Sequence, residues 1–361
     1  MRVLIAAGGT GGHIYPGIAV AKEVLRRDAD AAVRFVGTAR GLENKLVPQA
    51  GFELSLIDSA GLKNVGAIAR ARGLLVLPKS LREARQVIRA FRPDVVIGAG
   101  GYVSGPVVLT AALMKLPTLV MESNALPGWT NRVLARFVDK AAVSFDAALP
   151  FFRGKAVVTG NPVRREFFEI PERKRDPSGT FSVLVFGGSQ GARAINQAMI
   201  AALPSLESLR DRLRITHQTG QADFETVKSG YEQAGRHEGV WVTKYIENMV
   251  TAFADADLVV CRAGATTTAE LIAAGKASVM VPFPLAADDH QRKNAEALER
   301  AGAGRMILQQ DLSGERLAQE ITTLVLEPKR LAAMEHAARG LARGDAAAAV
   351  VELIEQLVAG K

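Results

Sequence analysis

The residues best placed to do chemistry in this 361-residue chain lie between positions 259 and 295. An apolar run ending in Val259-Val260-Cys261 reads as a buried parallel strand. It stops at Arg262-Ala263-Gly264. A helix is expected from about Thr266 to Ala274, closed by Gly275, and a second apolar strand over 277–281 runs into Pro282. A helix N-terminus just beyond the carboxyl end of a strand is where open α/β sheets bind ligands. Its amides and dipole favour an anion such as a diphosphate. Glu270, one turn further on, could accept both hydroxyls of a ribose. The same spacing also reads as a capping box, Thr267-x-x-Glu270, which needs no ligand.

Three glycine-rich turns surround this stretch. Gly8-Gly9-Thr10-Gly11-Gly12-His13 follows a strand at 2–7. The turn at 98–106, from Gly98 to Pro106 and including Gly100 and Gly101, follows a strand at 94–97. The third, Gly187-Gly188-Ser189-Gln190-Gly191, follows Val183-Leu184-Val185-Phe186 and repeats the opening unit: apolar strand, glycine turn with a hydroxyl third, helix. None is followed by the Lys-Ser/Thr of a P-loop, and none fits G-x-G-x-x-G with an acidic ribose ligand at the usual distance. Each alone is compatible with tight strand-to-helix packing. Together they suit close backbone approach to phosphates, one diphosphate in each domain. His13, directly after the first turn, is the candidate general base, since a near-neutral pKa suits removal of a hydroxyl proton. A structural histidine bonding its own turn is the other reading.

The elements that must carry these residues alternate strand and helix along the chain. Further strands are expected near 33–36, 54–57 and 118–121, with a helix near 42–49. Pro16 is expected to open the first helix at its first position, and the basic helical segment after residue 63 to be interrupted at Pro78. The pattern predicts an α/β fold of doubly wound parallel sheets. The stretch 161–180 changes character and reads as a linker. It separates an N-terminal domain, 1–160, from a C-terminal domain, 181–344. Helical runs follow, including one over 345–357 with Asp345 as a plausible cap.

Composition narrows the class. A hydrophobic content of 48 % is that of a folded soluble chain. The single cysteine, Cys261, excludes a disulfide framework and suits a reducing compartment. Neither a secretory leader nor a run of membrane-spanning length is read from the sequence. The net charge is +8, and between Lys63 and Arg92 eight basic residues stand against one acid, Glu83. Apolar residues 73–78 sit among them, which reads as a surface for anionic lipid; an ordinary solvated helix face is the alternative. Nucleic acid is not expected, because the patch holds a single aromatic, Phe91, and no nucleic-acid motif. Asp288-Asp289-His290 looks like part of a metal cluster but lacks further ligands at suitable spacing.

In order along the chain, AGGTGGHIYPGIAVA, GAGGYVSGP, ESNALPGWTNR, TGNPVR, VFGGSQGARAIN, CRAGATTTAEL and HQRKNA resemble the MurG family of N-acetylglucosaminyltransferases. The resemblance implies a GT-B architecture, two Rossmann-like domains facing across a cleft, with the last helix crossing back to the N-terminal domain. It implies inverting transfer of N-acetylglucosamine from UDP-GlcNAc to the C4 hydroxyl of N-acetylmuramic acid on lipid I, giving lipid II, without cofactor or catalytic metal. It further implies a peripheral location on the cytoplasmic face of the bacterial inner membrane, held through residues 63–92. Carried over by motif, Thr10, Gly11, Gly12 and Asn124 line the sugar side of the donor site, and Arg164 stands near the donor. Ser189 binds the diphosphate and Ile246 presents backbone groups to uracil. Ala265, Thr266, Thr267, Thr268 and Ala269 belong to the phosphate-binding helix start, and Glu270 takes the ribose. Gln291 holds hydroxyls of the transferred sugar, while Gly100 and Gly101 face the acceptor. Ser123 and His290 stand where some members have glutamine, so only Gln291 is carried over. A UDP-sugar epimerase or a non-catalytic nucleotide-sugar sensor are the rival classes.

Overall fold

A computed structural model describes residues 1–9, 11–39, 41–59, 67–173, 179–188 and 190–360, without the side chains of 67–75 and 287. Thr10, Ser189 and the start of the basic segment, Lys63 included, lie outside the described residues. The chain forms two units, Met1–Val163 with Asp345–Lys361, and Arg164–Gly344.

In the first unit the strands are β1 (Arg2–Ala7), β2 (Ala32–Gly37), β3 (Glu53–Leu56), β4 (Val95–Gly100), β5 (Thr118–Glu122), β6 (Lys140–Val143) and β7 (Ala156–Val158). The intervening helices are α1 (Gly11–Arg27), α2 (Glu43–Gln49), α3 (Ala67–Phe91), α4 (Ser104–Leu113) and α5 (Trp129–Leu134). All strand pairs are parallel, in the order β3-β2-β1-β4-β5-β6-β7. Strand order reverses between β1 and β4, so the two N-terminal glycine turns leave the sheet side by side. The register slips there, from Ala6 opposite Gly98 to Ala7 opposite Gly100. Ser104 fills the slip: its buried hydroxyl accepts from the Gly100 amide at 3.0 Å and lies 2.9 Å from the Ala6 carbonyl.

The second unit repeats the plan with β8 (Phe181–Phe186), α6 (Arg193–Ala202), β9 (Leu213–Gln218), α7 (Phe224–Gln233), β10 (Val240–Thr243) and α8 (Met249–Asp255). It continues through β11 (Leu258–Cys261), α9 (Ala265–Ala274), β12 (Ser278–Met280), α10 (His290–Arg300) and β13 (Arg305–Met306), then α11 (Gly314–Leu326) and α12 (Pro328–Leu341). Its parallel order is β10-β9-β8-β11-β12-β13, with the reversal between β8 and β11. Central strands such as Leu258–Cys261 are buried throughout, which is why they read as unbroken apolar runs.

Two expectations need correcting. The first helix starts at Gly11, so Pro16 lies inside it rather than opening it and cannot donate to the Gly12 carbonyl. Pro78 likewise lies within a continuous α3. Within the stretch expected as linker, Phe167 and Ile170 are buried, and the Phe167 ring meets Phe253 edge-on at 5.2 Å.

The last helix, α13 (Ala346–Ala359), is capped by Asp345, whose carboxylate accepts from the Ala348 amide at 2.9 Å. It packs on α1 in the first unit, burying Val350, Val351 and Ile354 completely. Arg27 adds an ion pair to Glu355 at 3.0 Å. Ile354→Ala should destabilise the first unit by about 2–5 kcal/mol and Asp345→Ala by about 1 kcal/mol. Both are read by calorimetric melting; an unchanged transition for Ile354→Ala would mean that the helix is not part of that core.

Candidate functional site

In the second unit the switch brings the β8–α6 turn beside the β11–α9 turn. Between them opens a cleft of about 660 Å³, lined by Gly187, Gly188, Arg262, Gly264, Thr267 and Gln291, with Arg193 and Gln309 at its margins. The N-cap of α9 is Gly264, in extended conformation and without a side-chain cap. The capping-box reading therefore fails: Thr267 is the third helical residue and Glu270 the sixth, too far along to close the helix start. First-turn amides point out of a helix end, here those of Ala265, Thr266 and Thr267. The Thr266 hydroxyl is shut off from solvent and has no hydrogen-bond partner among the described residues.

Thr268 does not join them. Its amide donates to the Gly264 carbonyl at 2.9 Å, and its fully buried hydroxyl lies 3.2 and 3.0 Å from the carbonyls of Gly264 and Ala265. It packs the helix and offers nothing to the cleft. Ala269 is half-buried one residue beyond.

Glu270 has a side chain only 15 % exposed, with the Arg164 guanidinium 3.8 Å away and no hydrogen bond among the described residues. Burial pushes its carboxyl up to about 7, and Arg164 opposes the shift. A buried carboxylate with unused lone pairs is suited to accept hydroxyl donors. Arg164 itself is half exposed and lies over the Phe167 ring. Gln291 turns its Oε1 to the Phe283 amide at 3.0 Å, which leaves its NH2 to donate. The backbone just before it is left-handed at both Asp288 and Asp289, with φ of 55° and 56°. Non-glycine residues held so are a feature of ligand-facing loops.

One backbone group of Ile246 is already engaged. Its amide is buried and donates to Gln218 Oε1 at 2.9 Å, while Gln218 Nε2 donates to the Gly188 carbonyl at 2.8 Å. Only the Ile246 carbonyl is uncommitted to that bridge. Gln218 and Arg262 escaped the sequence reading. Arg262 holds the carbonyls of Val281 and Pro282 and the Gln309 side chain. The available signal was position: each is polar and stands at the end of an apolar strand beside a glycine turn.

The first unit gathers the remaining candidates at its own switch. Gly11, Gly12 and His13 form the first turn of α1. The His13 ring lies against Gly100, where an added Cβ would meet Nδ1 at 2.2 Å. Gly100 and Gly101 have φ of +115° and +82°, conformations open to glycine. Asn124 is held by Glu122 Oε1, which accepts from its amide at 2.9 Å and its Nδ2 at 3.0 Å. The other oxygen of Glu122 accepts from the Gly128 amide and Asn131 Nδ2, both at 2.9 Å. Burial nevertheless raises its pKa. With four donors already engaged, Glu122 fixes the loop that presents Asn124.

This arrangement of paired parallel sheets with open helix starts matches known proteins. Residues 3–143 match the glycosyltransferase family 28 N-terminal domain and residues 182–356 its C-terminal domain. A relative from Citrifermentans bemidjiense, named UDP-N-acetylglucosamine–N-acetylmuramyl-(pentapeptide) pyrophosphoryl-undecaprenol N-acetylglucosamine transferase, is 49 % identical over 97 % of this chain and 98 % of its own length. A relative of the same name from Anaeromyxobacter sp. is 50 % identical over 99 % of this chain and 94 % of its own. The crystal structure of Acinetobacter baumannii MurG superposes with a TM-score of 0.81 at 34 % identity, covering 98 % of this chain and 99 % of that one. Near-complete coverage at half identity, over domains of glycosyltransferase family 28, makes this chain a member of the MurG family with the GT-B fold.

Proposed function

We propose that the protein transfers N-acetylglucosamine from UDP-GlcNAc to the C4 hydroxyl of N-acetylmuramic acid on lipid I, forming lipid II for peptidoglycan. The observation that carries this reading is the buried, unbonded Glu270 carboxylate one turn past the uncapped start of α9, the helix whose Gly264 and Thr267 line the cleft. It is the arrangement a nucleoside diphosphate needs: amides for phosphate and a carboxylate for ribose. In this reading Ala265, Thr266, Thr267 and the Gly187–Gly188 turn with Ser189 take the diphosphate. Arg164 stands beside the ribose carboxylate, the Ile246 carbonyl faces uracil, and Gln291 donates to a sugar hydroxyl. Gly11, Gly12, Asn124 and Thr10 line the sugar side. Lipid I is taken at the first unit, against Gly100 and Gly101.

The chemistry follows from charge. The transferred sugar becomes oxocarbenium-like as the bond to UDP lengthens, and the diphosphate gains negative charge. Preoriented amides at the start of α9 meet that charge without reorganising. His13 removes the proton of the attacking hydroxyl. Purified protein given UDP-GlcNAc and lipid I, or a short-chain analogue, should form the disaccharide product. Epimerised UDP-sugar, or UDP binding without turnover, would overturn the reading. His13→Ala should lower kcat by about 10²–10⁴-fold with UDP affinity unchanged; retained turnover in His13→Asn would remove His13 as base.

Glu270 ties donor binding to pH. Its raised pKa means that the folded apo protein favours the neutral carboxyl. That contribution is complete below the ordinary value of 4.5 and is lost as pH rises through about 7. Between pH 5 and 8, apo wild type should lose up to about 3 kcal/mol relative to Glu270→Gln. UDP, whose ribose hydroxyls donate, favours the ionised form, so its affinity should climb over the same window. Glu270→Gln should remove that climb and cost about 1.5–3 kcal/mol at pH 8. Calorimetric titrations of both proteins from pH 5 to 8 check it; parallel profiles would mean that ribose does not meet Glu270.

Peripheral attachment to an anionic membrane rests on α3. Ala84, Ile88 and Phe91 are buried, while Arg82, Arg85 and Arg89 are exposed on the other face. Lys79 is already paired with Asp58 and Glu83. Among the described residues no helix is long and apolar enough to cross a membrane. Reversing Arg82, Arg85 and Arg89 to glutamate should release the protein from anionic vesicles, at about 1 kcal/mol for each charge near the surface, with turnover of a soluble acceptor maintained. Unchanged sedimentation with vesicles at physiological salt would leave these arginines a solvated face.

A further inference from the structure

The carboxylate of Glu43 is fully buried, and none of the steps above uses it. It enters from the first residue of α2 and lies between the turns that end β1 and β2. One oxygen, Oε2, accepts from the Gly9 amide at 2.9 Å. The other, Oε1, accepts from the Thr38 amide at 2.8 Å and the Thr38 hydroxyl at 2.9 Å. Every partner is a donor, so an acceptor-only carboxylate fits where a carboxamide would set its own NH2 against one of them. These bonds outweigh burial and hold the Glu43 pKa below its ordinary value. Glycines form the slot: a Cβ on Gly41 would lie 1.9 Å from Oε2, and one on Gly37 would lie 2.5 Å from Cγ.

From this anchor, contact runs without interruption to His13. Gly8, next to the clamped Gly9, donates its amide to the Gly100 carbonyl at 3.3 Å. Its carbonyl lies so close to Gly101 that an added Cβ would stand 2.1 Å away. Gly100 in turn lies beneath the His13 ring. Moving Gly8–Gly9 therefore moves the backbone surface on which the imidazole rests. We propose that Glu43 is a positioning residue for glycosyl transfer, setting His13 through the first glycine turn. The proposal rests on the reading of His13 as base.

The test is a double-mutant cycle on the whole chain, with turnover of lipid I analogue and UDP titration read in parallel. Glu43→Gln should lower kcat by about ten- to a hundredfold, the cost of a misplaced catalytic group, with UDP affinity within about twofold of wild type. In the His13→Ala background the same substitution should cost little more, because residues acting as one unit are not additive. Wild-type kcat in Glu43→Gln overturns the proposal. So does an equal loss in both backgrounds, or a parallel loss of UDP affinity, which marks general structural damage. The base reading fails separately, through full activity of His13→Ala alone. Should Glu43→Gln not fold, Thr38→Val removes one donor, keeps the carboxylate and is held to the same three criteria.

Discussion

The constraint on which the rest depends is that certain helix starts must stay open. A helix leaves its first amides without partners inside the helix, and side chains usually close that end. Among the described residues Asn248, Ser313 and Asp345 cap α8, α11 and α13 in this way. At the switch of the second unit the capping positions are Gly264 and Ala192, and neither side chain can close its helix. Leaving these ends open gives up a stabilisation of about 1 kcal/mol each. The gain is a pair of oriented, positively polarised surfaces facing one cleft.

Parallel sheet topology makes that arrangement available twice. In each unit the strand order reverses once, between β1 and β4 and between β8 and β11, and the turns at the reversal have no crossover helix lying between them. Glycine is required there by contact. An added Cβ on Gly191 would lie 1.9 Å from the Thr219 carbonyl, and one on Gly101 would lie 2.1 Å from the Gly8 carbonyl. Neighbouring turns thus brace one another through backbone, leaving few degrees of freedom at the site. Away from the switch, ordinary packing suffices. In the second unit the polar pocket of His217, Tyr231 and Asn196 is satisfied internally, and burial holds His217 down at about 3, so its ring is neutral near pH 7.

Much of this was legible in the residues because it rests on local rules. Apolar runs of five or six residues gave the central strands, glycine clusters marked the turns, and the recurrence of strand, glycine turn and helix marked two similar units. Asp345 was readable as a cap because capping is a short-range bond. What escaped was decided at long range. Pro16 and Pro78 sit inside helices since packing overrides a local preference of about 3 kcal/mol. Ile246 was expected to present backbone groups, and Gln218, 28 positions away, takes one of them, the amide. Thr267-x-x-Glu270 has the spacing of a capping box, but the helix begins two residues before Thr267, which moves Glu270 off the end.

The three glutamates Glu43, Glu122 and Glu270 show why spacing alone cannot assign a role. Each is largely buried, but Glu43 begins α2, Glu122 ends β5, and Glu270 sits in the second turn of α9. Their fates differ by the donors that the fold delivers. Glu43 receives the Gly9 amide and both donors of Thr38, enough to lower its pKa against burial. Glu122 receives four bonds, yet burial still raises its pKa. In both the lone pairs are spent on holding a turn. Glu270 receives only a distant guanidinium, so burial dominates and its lone pairs remain unspent. An unsatisfied buried carboxylate is costly to the folded state, and a fold tolerates it where a ligand completes the set. The deficit of donors at Glu270, set beside their surplus at Glu43 and Glu122, is what sets the carboxylate proposed to meet ribose apart from the two that hold backbone.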